Sequence, residues 1–345
     1  MQAYRIIPGA DIAGLNLVRE TAPEPREHEV CVRIHAVSLN YRDLMIAQAR
    51  YLTVGREPIV PVADGAGEVI AVGSAVTRFK VGDRVANMYF PNWIEGVVTP
   101  EKTATSFGAN IDGVLAEQVV LSEDALVAIP NHLNFAEAAT LSCAGITAWN
   151  ALFCEGGLKP GNSVLLLGTG GVSIWALQLA HSAGVRTFIT SSSDAKLEHA
   201  RALGAAVTIN YRNTPQWQDE VLRQTDGRGV DLVVEIGGDG TLQQSIAATR
   251  MGGTIAAIGG LSGGFNTRLE LLSLLGANRH LKGIFVGNRQ MLEDLNRLVT
   301  HAQIHPAVDR VFAFDQARAA YEYLQQAGHV GKVVIAVTPD AQRIE

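Results

Sequence analysis

The sequence is poor in cysteine and has no long apolar run. Its three cysteines, Cys31, Cys143 and Cys154, cannot form a disulfide framework and suit a reducing compartment. No apolar stretch approaches the ~20 residues that cross a bilayer, and the start of the chain lacks the apolar core of a signal peptide. These absences predict a cytoplasmic protein with no membrane partner.

Positive charge is also scarce. The chain has 28 Lys and Arg against 34 Asp and Glu, a net charge of −6, and no Lys/Arg-rich block. This balance argues against nucleic acid or an anionic membrane as the main partner and leaves a small-molecule substrate. With 345 residues, 47% of them hydrophobic, the chain is typical of an α/β enzyme and long enough for two domains.

What the sequence does contain is a glycine-rich turn between a strand and a helix. Residues Val164–Leu167 are all apolar, as in a strand buried on both faces. The turn that follows consists of Gly168, Thr169, Gly170, Gly171 and Val172. A helix that begins there offers unpaired N–H groups and a positive dipole end to a pyrophosphate, although Ser173 stands where a third Gly or Ala is usual. The pattern predicts a dinucleotide site, the alternative being a turn that uses glycine for geometry alone.

Strands and helices alternate around this turn. The predicted strands are 163–168, 186–191, 206–211, 230–236, 253–258 and 280–286. The predicted helices are 171–183, 194–203, 216–225, 240–250, 267–277 and 289–301. This alternation is typical of crossover connections and predicts the α/β class, with a doubly wound parallel Rossmann sheet.

The two ends of the chain have a different pattern. Short β-branched runs such as Glu29–Val37 are broken by glycine and proline and predict a compact β domain. In the tail, a strand at Arg310–Phe314, a helix at Asp315–Ala327 and a strand at Lys332–Val337 are too short to fold alone. The predicted segments are therefore 1–122 for the first part of the β domain, 123–288 for the Rossmann domain and 289–345 for a return segment.

Motifs along almost the whole chain resemble one enzyme family. They are Ser38–Asp43 (SLNYRD), Asp64–Val69 (DGAGEV), Phe79–Val85 (FKVGDRV), Cys143–Trp149 (CAGITAW), Gly168–Val172 (GTGGV), Lys196–Ala205, Ile209–Tyr211 and Gly331–Val334 (GKVV). In this order and spacing they resemble the medium-chain dehydrogenases/reductases, in the zinc-independent, quinone-oxidoreductase-like branch. The resemblance implies a GroES-like β domain built from both chain ends around the Rossmann domain, with the active site between the two.

The resemblance also bears on metal. Many family members hold a catalytic zinc with Cys, His and Cys, and the matching positions here are Asn40, Asp64 and Cys143. Asn is a poor zinc ligand, and one thiolate with one carboxylate falls short of the three protein ligands that catalytic zinc needs. Residues 91–110, where a structural zinc lobe would lie, contain no cysteine. We therefore predict no metal and interpret Cys143 as a small buried residue, with a redox-sensitive thiol as the alternative.

The choice of cofactor depends on the end of the second Rossmann strand. Sites that prefer NAD place a carboxylate there, whereas this strand ends in Ser191 and Ser192. Serine hydroxyls can donate hydrogen bonds to a 2′-phosphate, Lys196 can add a charge, and the resemblance places Tyr211 in the adenosine phosphate pocket. These residues predict NADP(H). The alternative is that the serines only cap the following helix, for which Asp194 is the preferred cap.

The resemblance implies further cofactor contacts. Thr147 matches a residue that contacts the nicotinamide ring. The backbones expected at the other end of the cofactor are those of Gly259, Gly260, Leu261, Phe285, Val286 and Gly287. Arg289 either reaches the cleft or the cofactor, or only opens the helix that follows it.

Without a Lewis acid, the remaining chemistry is hydride transfer to an acceptor that is already polarised. The developing oxyanion still needs a hydrogen-bond donor. The resemblance places Asn40 beside the nicotinamide, where its amide can donate. Tyr41 and Tyr89 are further candidates, with simple packing as their alternative. Asp43 matches a position that supports the cleft, and Asp64 in the metal place can orient water.

The sequence thus predicts an NADPH-dependent, zinc-independent oxidoreductase of quinones, enones or related carbonyls. A zinc-dependent alcohol dehydrogenase and a nucleotide-binding protein without turnover stay open as alternatives. The substrate itself cannot be named, because loops such as Gln48–Arg56 and Tyr89–Ala109, which are expected to line the pocket, vary most freely.

An apolar late strand predicts a homodimer. The sixth Rossmann strand, with Ile284 and Val286, would leave an unpaired apolar edge in a monomer. Two-fold pairing of the sixth strands would cover that edge, as it does in family members. The alternative is a monomer in which helix 289–301 and the tail shield the edge.

Overall fold

The computed structural model describes residues 1–51 and 58–342, so residues 52–56 of the loop expected to line the pocket lie outside the described part. The strands are β1 (Gln2–Arg5), β2 (Asn16–Arg19), β3 (Glu29–Leu39), β4 (Asp64–Val72), β5 (Arg84–Asn87), β6 (Gln118–Ser122), β7 (Leu126–Ala128), β8 (Ser163–Leu166), β9 (Arg186–Ser191), β10 (Val207–Asn210), β11 (Val230–Glu235), β12 (Thr249–Ala257), β13 (His280–Gly283), β14 (Val308–Ala313) and β15 (Lys332–Ala336).

The helices lie between these strands. They are α1 (Tyr41–Ala47), α2 (Pro100–Thr103), α3 (Phe135–Ala138), α4 (Ile146–Trp149), α5 (Gly171–Ser182), α6 (Asp194–Ala202), α7 (Trp217–Gln224), α8 (Leu242–Ala248), α9 (Leu271–Leu275), α10 (Arg289–His301) and α11 (Ala317–Gln325). Two π-helical segments, Leu141–Gly145 and Asn150–Cys154, flank α4. Within the described residues, no helix combines the length and apolar character needed to cross a membrane.

Unit 2 of the chain, Thr147–Phe285, is the predicted Rossmann fold. Its sheet has the order β10-β9-β8-β11-β12-β13, and every pair is parallel. In order of appearance this is 3-2-1-4-5-6, the doubly wound arrangement. Every residue of β8 is buried, because helices cover both faces of the central strand, and this explains its continuous apolar run.

Three elements of unit 2 differ from their predicted bounds by more than two residues at one end. The fifth strand begins at Thr249, not 253, because β11 pairs with it on both sides of a register shift that contains the glycine pair Gly252–Gly253. The sixth strand ends at Gly283, not 286, and Val286 has a positive φ of 49° that no strand permits. The helix predicted at 267–277 is only the five-residue α9.

Unit 1, Met1–Ile146 with Val286–Glu345, is the predicted β domain built from both chain ends. Its main sheet has the order β14-β15-β3-β4-β5-β7, with β6 also on β3, and β1 and β2 form a separate pair. The return segment enters this sheet where β15 lies antiparallel to β3, with Val333 opposite Leu39. An apolar cluster of the described part of this unit includes Tyr321 of α11 and Val333 of β15, so the tail contributes to the core.

The boundary between the units differs from the prediction. Residues 123–146 belong to unit 1 rather than to the Rossmann unit, since β7 pairs antiparallel with β5. The second boundary lies at Phe285/Val286 instead of 288/289. Val286 therefore packs against the core of unit 1 and Ile284 is buried, so neither is the exposed edge residue that the dimer prediction assumed.

Candidate active site and cofactor site

The glycine turn follows β8 directly and leads into α5. Gly168 has φ 68°, which favours glycine, and a Cβ built on Gly170 would meet no atom within 4 Å. The open space lies at the N-terminus of a twelve-residue helix whose first N–H groups have no acceptor within the helix. Ser173 donates its hydroxyl to the Leu167 carbonyl at 2.6 Å, so this departure from Gly or Ala satisfies a buried carbonyl at the end of the strand. The turn fits a pyrophosphate.

The ends of β9 and β10 bring two of the predicted 2′-phosphate residues, Ser191 and Tyr211, together. Ser191 is buried at the end of β9, and its carbonyl accepts the Tyr211 N–H at 3.0 Å. The cap of α6 is Ser193, which accepts the Lys196 N–H at 3.5 Å, and so the preference for Asp194 as the cap was wrong. Asp194 instead accepts a hydrogen bond from Asn210 at 2.8 Å.

The other predicted cofactor residues divide between the units. Leu261 is half exposed after β12, and a Cβ on Gly259 would come within 2.9 Å of the Ile236 carbonyl. The glycine turn, Ser191 and the loop after β12 all lie at the carboxyl ends of parallel strands. This is the edge at which such sheets bind nucleotides. Thr147 is buried in α4 and Phe285 is half exposed.

Residues 286–289 belong to unit 1. Gly287 lies so close to Ile146 that a Cβ would come within 2.7 Å of its side chain. Arg289 is the first residue of α10, and its guanidinium binds Asp124 at 2.8 Å and lies 3.7 Å from Glu293. The guanidinium of Arg289 is thus engaged by two carboxylates. This supports the interpretation that Arg289 only opens the following helix over the interpretation that it contacts the cofactor.

In unit 1, side chains from three elements meet beside the end of β3. Asn40 precedes α1, Asp64 begins β4 and Lys332 begins β15, and both strands pair with β3. Asn40 Nδ2 donates to Asp64 Oδ2 at 2.8 Å. Lys332 Nζ donates to Asn40 Oδ1 at 2.5 Å and to the Leu39 carbonyl at 2.6 Å. We call Asn40, Asp64 and Lys332 the amide cluster.

Burial dominates the electrostatics of the amide cluster. Asp64 is 0% exposed and Lys332 3%, whereas Asn40 is partly exposed. Burial raises the pKa of Asp64 to about 7, against the opposing effects of Lys332 and the Asn40 hydrogen bond. Burial lowers the pKa of Lys332, which Asp64 opposes. Each charge thus offsets part of the cost of burying the other, and the amide between them joins the two.

Sequence reasoning found Asn40 and Asp64 but missed Lys332. The lysine belongs to the GKVV motif, but its contact with Asn40 crosses 292 positions of the chain. Asp43, which the resemblance expects to support the cleft, accepts the Asn40 backbone N–H through Oδ2 at 2.8 Å and so fixes the backbone that carries the amide.

The two predicted tyrosines lie in different surroundings. Tyr89 is buried, its hydroxyl is 2.7 Å from that of Tyr51, and the Arg42 guanidinium lies 4.6 Å from its ring centroid. These contacts support the packing interpretation for Tyr89. Tyr41, in the first turn of α1, is exposed.

The amide cluster does not fit a zinc ion. The oxygen of Asn40 already accepts a hydrogen bond from an ammonium group, and this positive charge would repel a dication. Burial, and next the charge of Asp64, raise the pKa of the Cys143 thiol, which disfavours the thiolate that zinc requires. Over the described part of the chain, no group of three or more His, Cys, Asp or Glu side chains has an arrangement that could hold a metal.

The two units together define a class: oxidoreductases with a GroES-like unit and a Rossmann unit. The family described as "Alcohol dehydrogenase GroES-like domain" matches residues 26–131, and that described as "Zinc-binding dehydrogenase" matches residues 171–301. A Schizosaccharomyces pombe zinc-type alcohol dehydrogenase-like protein is 43% identical over 97% of this chain and 99% of its own.

Solved structures agree with this class. An NAD-dependent alcohol dehydrogenase is 32% identical, with a TM-score of 0.89 over 98% of this chain and 100% of its own. A quinone oxidoreductase from Pseudomonas syringae pv. Tomato DC3000 is 27% identical, with a TM-score of 0.82 over 97% and 99%. The chain belongs to the medium-chain dehydrogenase/reductase superfamily and is an NAD(P)H-dependent oxidoreductase.

Proposed function

We propose that this protein is an NADPH-dependent reductase that transfers hydride to a quinone, an enone or a related carbonyl without a metal ion. The observation that carries the proposal is the amide cluster. At the positions that match zinc ligands, the chain places a neutral amide between a buried carboxylate and a buried ammonium. A site without a Lewis acid suits acceptors that are already polarised.

Asn40 is the proposed catalytic residue. Its Oδ1 accepts from Lys332 and one Nδ2 hydrogen lies on Asp64. The second Nδ2 hydrogen has no acceptor among the described residues, so it can serve a substrate oxygen. NADPH, when bound, supplies the hydride. The Asn40 amide would stabilise the negative charge that develops on the substrate oxygen, and Asp43 would hold the backbone of the donor in place.

The preference for NADPH rests on the end of β9. Ser191 ends that strand where an NAD site has a carboxylate, and the first carboxylate after it, Asp194, binds Asn210. Ser192, Lys196 and Tyr211 complete the proposed 2′-phosphate site. One relative of known structure is described as NAD-dependent, so the preference must be measured on this chain.

A turnover screen tests the proposal. Quinones, enones and aldehydes are offered with NADPH and with NADH, to the wild type, to Asn40→Ala and to the control Asn131→Ala, an exposed asparagine of unit 1. We expect turnover with NADPH and a fall in kcat of about 10²–10³ in Asn40→Ala, the usual effect of removing an oxyanion donor. No turnover of any acceptor, or an Asn40→Ala enzyme as fast as the control, would contradict the proposal.

A homodimer is the proposed assembly. In the described part of unit 2, β13 pairs only with β12 and forms one edge of the sheet. Leu281 on β13 and Leu272 and Leu275 on α9 are exposed, Leu272 to 77%. An unpaired strand edge beside exposed leucines favours association of two copies through this edge.

A further inference from the structure

The Asn40 carboxamide can adopt two orientations that differ by a half-turn about its last bond, and the amide cluster distinguishes them. In the observed orientation Oδ1 faces an ammonium and Nδ2 faces a carboxylate, so both contacts are attractive. A half-turn would place the amide NH₂ against the Lys332 ammonium and the amide oxygen against Asp64. Both contacts would then be repulsive, because Lys332 has no acceptor and an ionised Asp64 has no donor.

Lys332 is itself held from the other side. Its second hydrogen bond, 2.6 Å to the Leu39 carbonyl, ties Nζ to the last residue of β3. The side chain is 3% exposed and starts from β15, the strand that pairs with β3. The ammonium therefore occupies a fixed place, unlike a lysine on the surface, and it acts on the amide oxygen from a defined direction.

We infer that Lys332 is a positioning residue: through Asn40 Oδ1 it fixes the amide so that one Nδ2 hydrogen lies on Asp64 and the other is presented to the substrate oxygen. The inference rests on the proposed function, since it concerns the donor of that reaction. Lys332, at 3% exposure, offers a substrate almost no accessible surface. Its effect on catalysis must therefore pass through Asn40, and this dependence can be measured.

A double-mutant cycle separates positioning from a merely structural role. In Lys332→Met the donor to Oδ1 is lost and the amide can turn, and we expect kcat to fall about tenfold to a hundredfold with KM nearly unchanged. In an Asn40→Ala background the same substitution should lower kcat no further than about twofold. Lys80→Met, which changes an exposed lysine of the same unit, is the control.

The cycle has two outcomes that overturn the inference. Either Lys332→Met leaves kcat unchanged, or it lowers kcat by the same factor with and without the Asn40 side chain. Equal factors would mean that Lys332 acts on the fold and not on the amide.

A spectroscopic measurement keeps the inference testable apart from turnover. The Asn40 carboxamide is assigned in a ¹⁵N spectrum as the signal absent from Asn40→Ala. We expect one sharp pair of amide protons in the wild type, and a broadened or doubled pair in Lys332→Gln, whose amide can donate or accept and so permits both orientations. Lys332→Gln also serves if Lys332→Met does not fold.

The two measurements distinguish the two claims. If the wild type turns over no acceptor, the proposed function fails, but the spectrum still reports whether Lys332 fixes the amide. An Asn40 pair that is identical in the wild type and in Lys332→Gln would overturn the positioning role, whatever the activity.

Discussion

The substitution Asp64→Asn isolates the titration of one buried carboxyl. Asp64 is 0% exposed, its Oδ2 accepts from Asn40, and its Oδ1 has no partner among the described residues. Asparagine has nearly the same shape and keeps an oxygen that can accept from Asn40, but it does not ionise. The variant also loses the attraction between the ionised carboxylate and Lys332, an effect that the pKa of Asp64 already contains.

The sign of the pH effect follows from the raised pKa. Burial raises the pKa of Asp64 to about 7 in the folded state, against about 3.9 in the unfolded chain. The unfolded chain therefore ionises at a lower pH than the folded protein, and stability falls as the pH rises between the two pKa values. This loss of stability is absent below about pH 4, grows up to about pH 7 and is constant above it. By linkage it amounts to about 1–2 kcal/mol at pH 5 and about 4 kcal/mol at pH 8.

The difference in the free energy of unfolding between Asp64→Asn and the wild type should therefore increase with pH. Relative to the wild type, Asp64→Asn should gain about 2–3 kcal/mol between pH 5 and pH 8, measured by urea denaturation at half-unit steps. Asp83→Asn is the control, because its hydrogen bond from Lys80 lowers the pKa of Asp83 and leaves it ionised throughout this range. A difference between Asp64→Asn and wild type that is flat across this range, like the control's, would refute the burial argument.

Three further predictions concern the cofactor, the metal and the assembly. Lys196→Ala should weaken NADPH binding by about 1–3 kcal/mol and leave NADH nearly unchanged, with Lys159→Ala as the control; equal Kd values for the two cofactors in the wild type would contradict the 2′-phosphate site. Protein purified without chelators should hold far less than one zinc per chain and keep its turnover after chelation, whereas stoichiometric zinc would show that the amide cluster was misinterpreted. Sedimentation velocity should show a dimer that Leu281→Lys dissociates, and a wild-type monomer would rule the dimer out.

Most of the fold could be predicted from the sequence, because the patterns that specify its strands, turns and helices are local and agree with one another. The apolar run of β8 reflects burial on both faces of a central strand, and the glycine turn after it needs a positive φ at Gly168. The strand and helix pattern therefore placed the Rossmann sheet, and the short tail had to join another domain because it was too small to fold alone.

Local sequence patterns gave wrong bounds where the pairing of strands determines the structure. A glycine pair normally suggests the start or end of a strand, but β12 runs through Gly252 and Gly253 because β11 pairs with it on both sides of a register shift. The boundary at 122 failed for the same reason, since three residues of β7 carry little pattern of their own and are held by β5. No local pattern could have placed Lys332 on Asn40.

The contacts within the amide cluster mean that replacing single residues at the positions that match zinc ligands would not by itself create a zinc site. One carboxylate and one ammonium give the cluster a balance of charge, with a neutral amide between them. Placing Cys at position 40 and His at 64 would supply zinc ligand types, but the Lys332 ammonium would keep its anchor on the Leu39 carbonyl and now lie unpaired beside the new ligands. A buried positive charge beside the ligands opposes the binding of a dication. Tight zinc binding should therefore require the loss of Lys332 as well, so the lysine, as much as the missing ligands, separates this site from a zinc site.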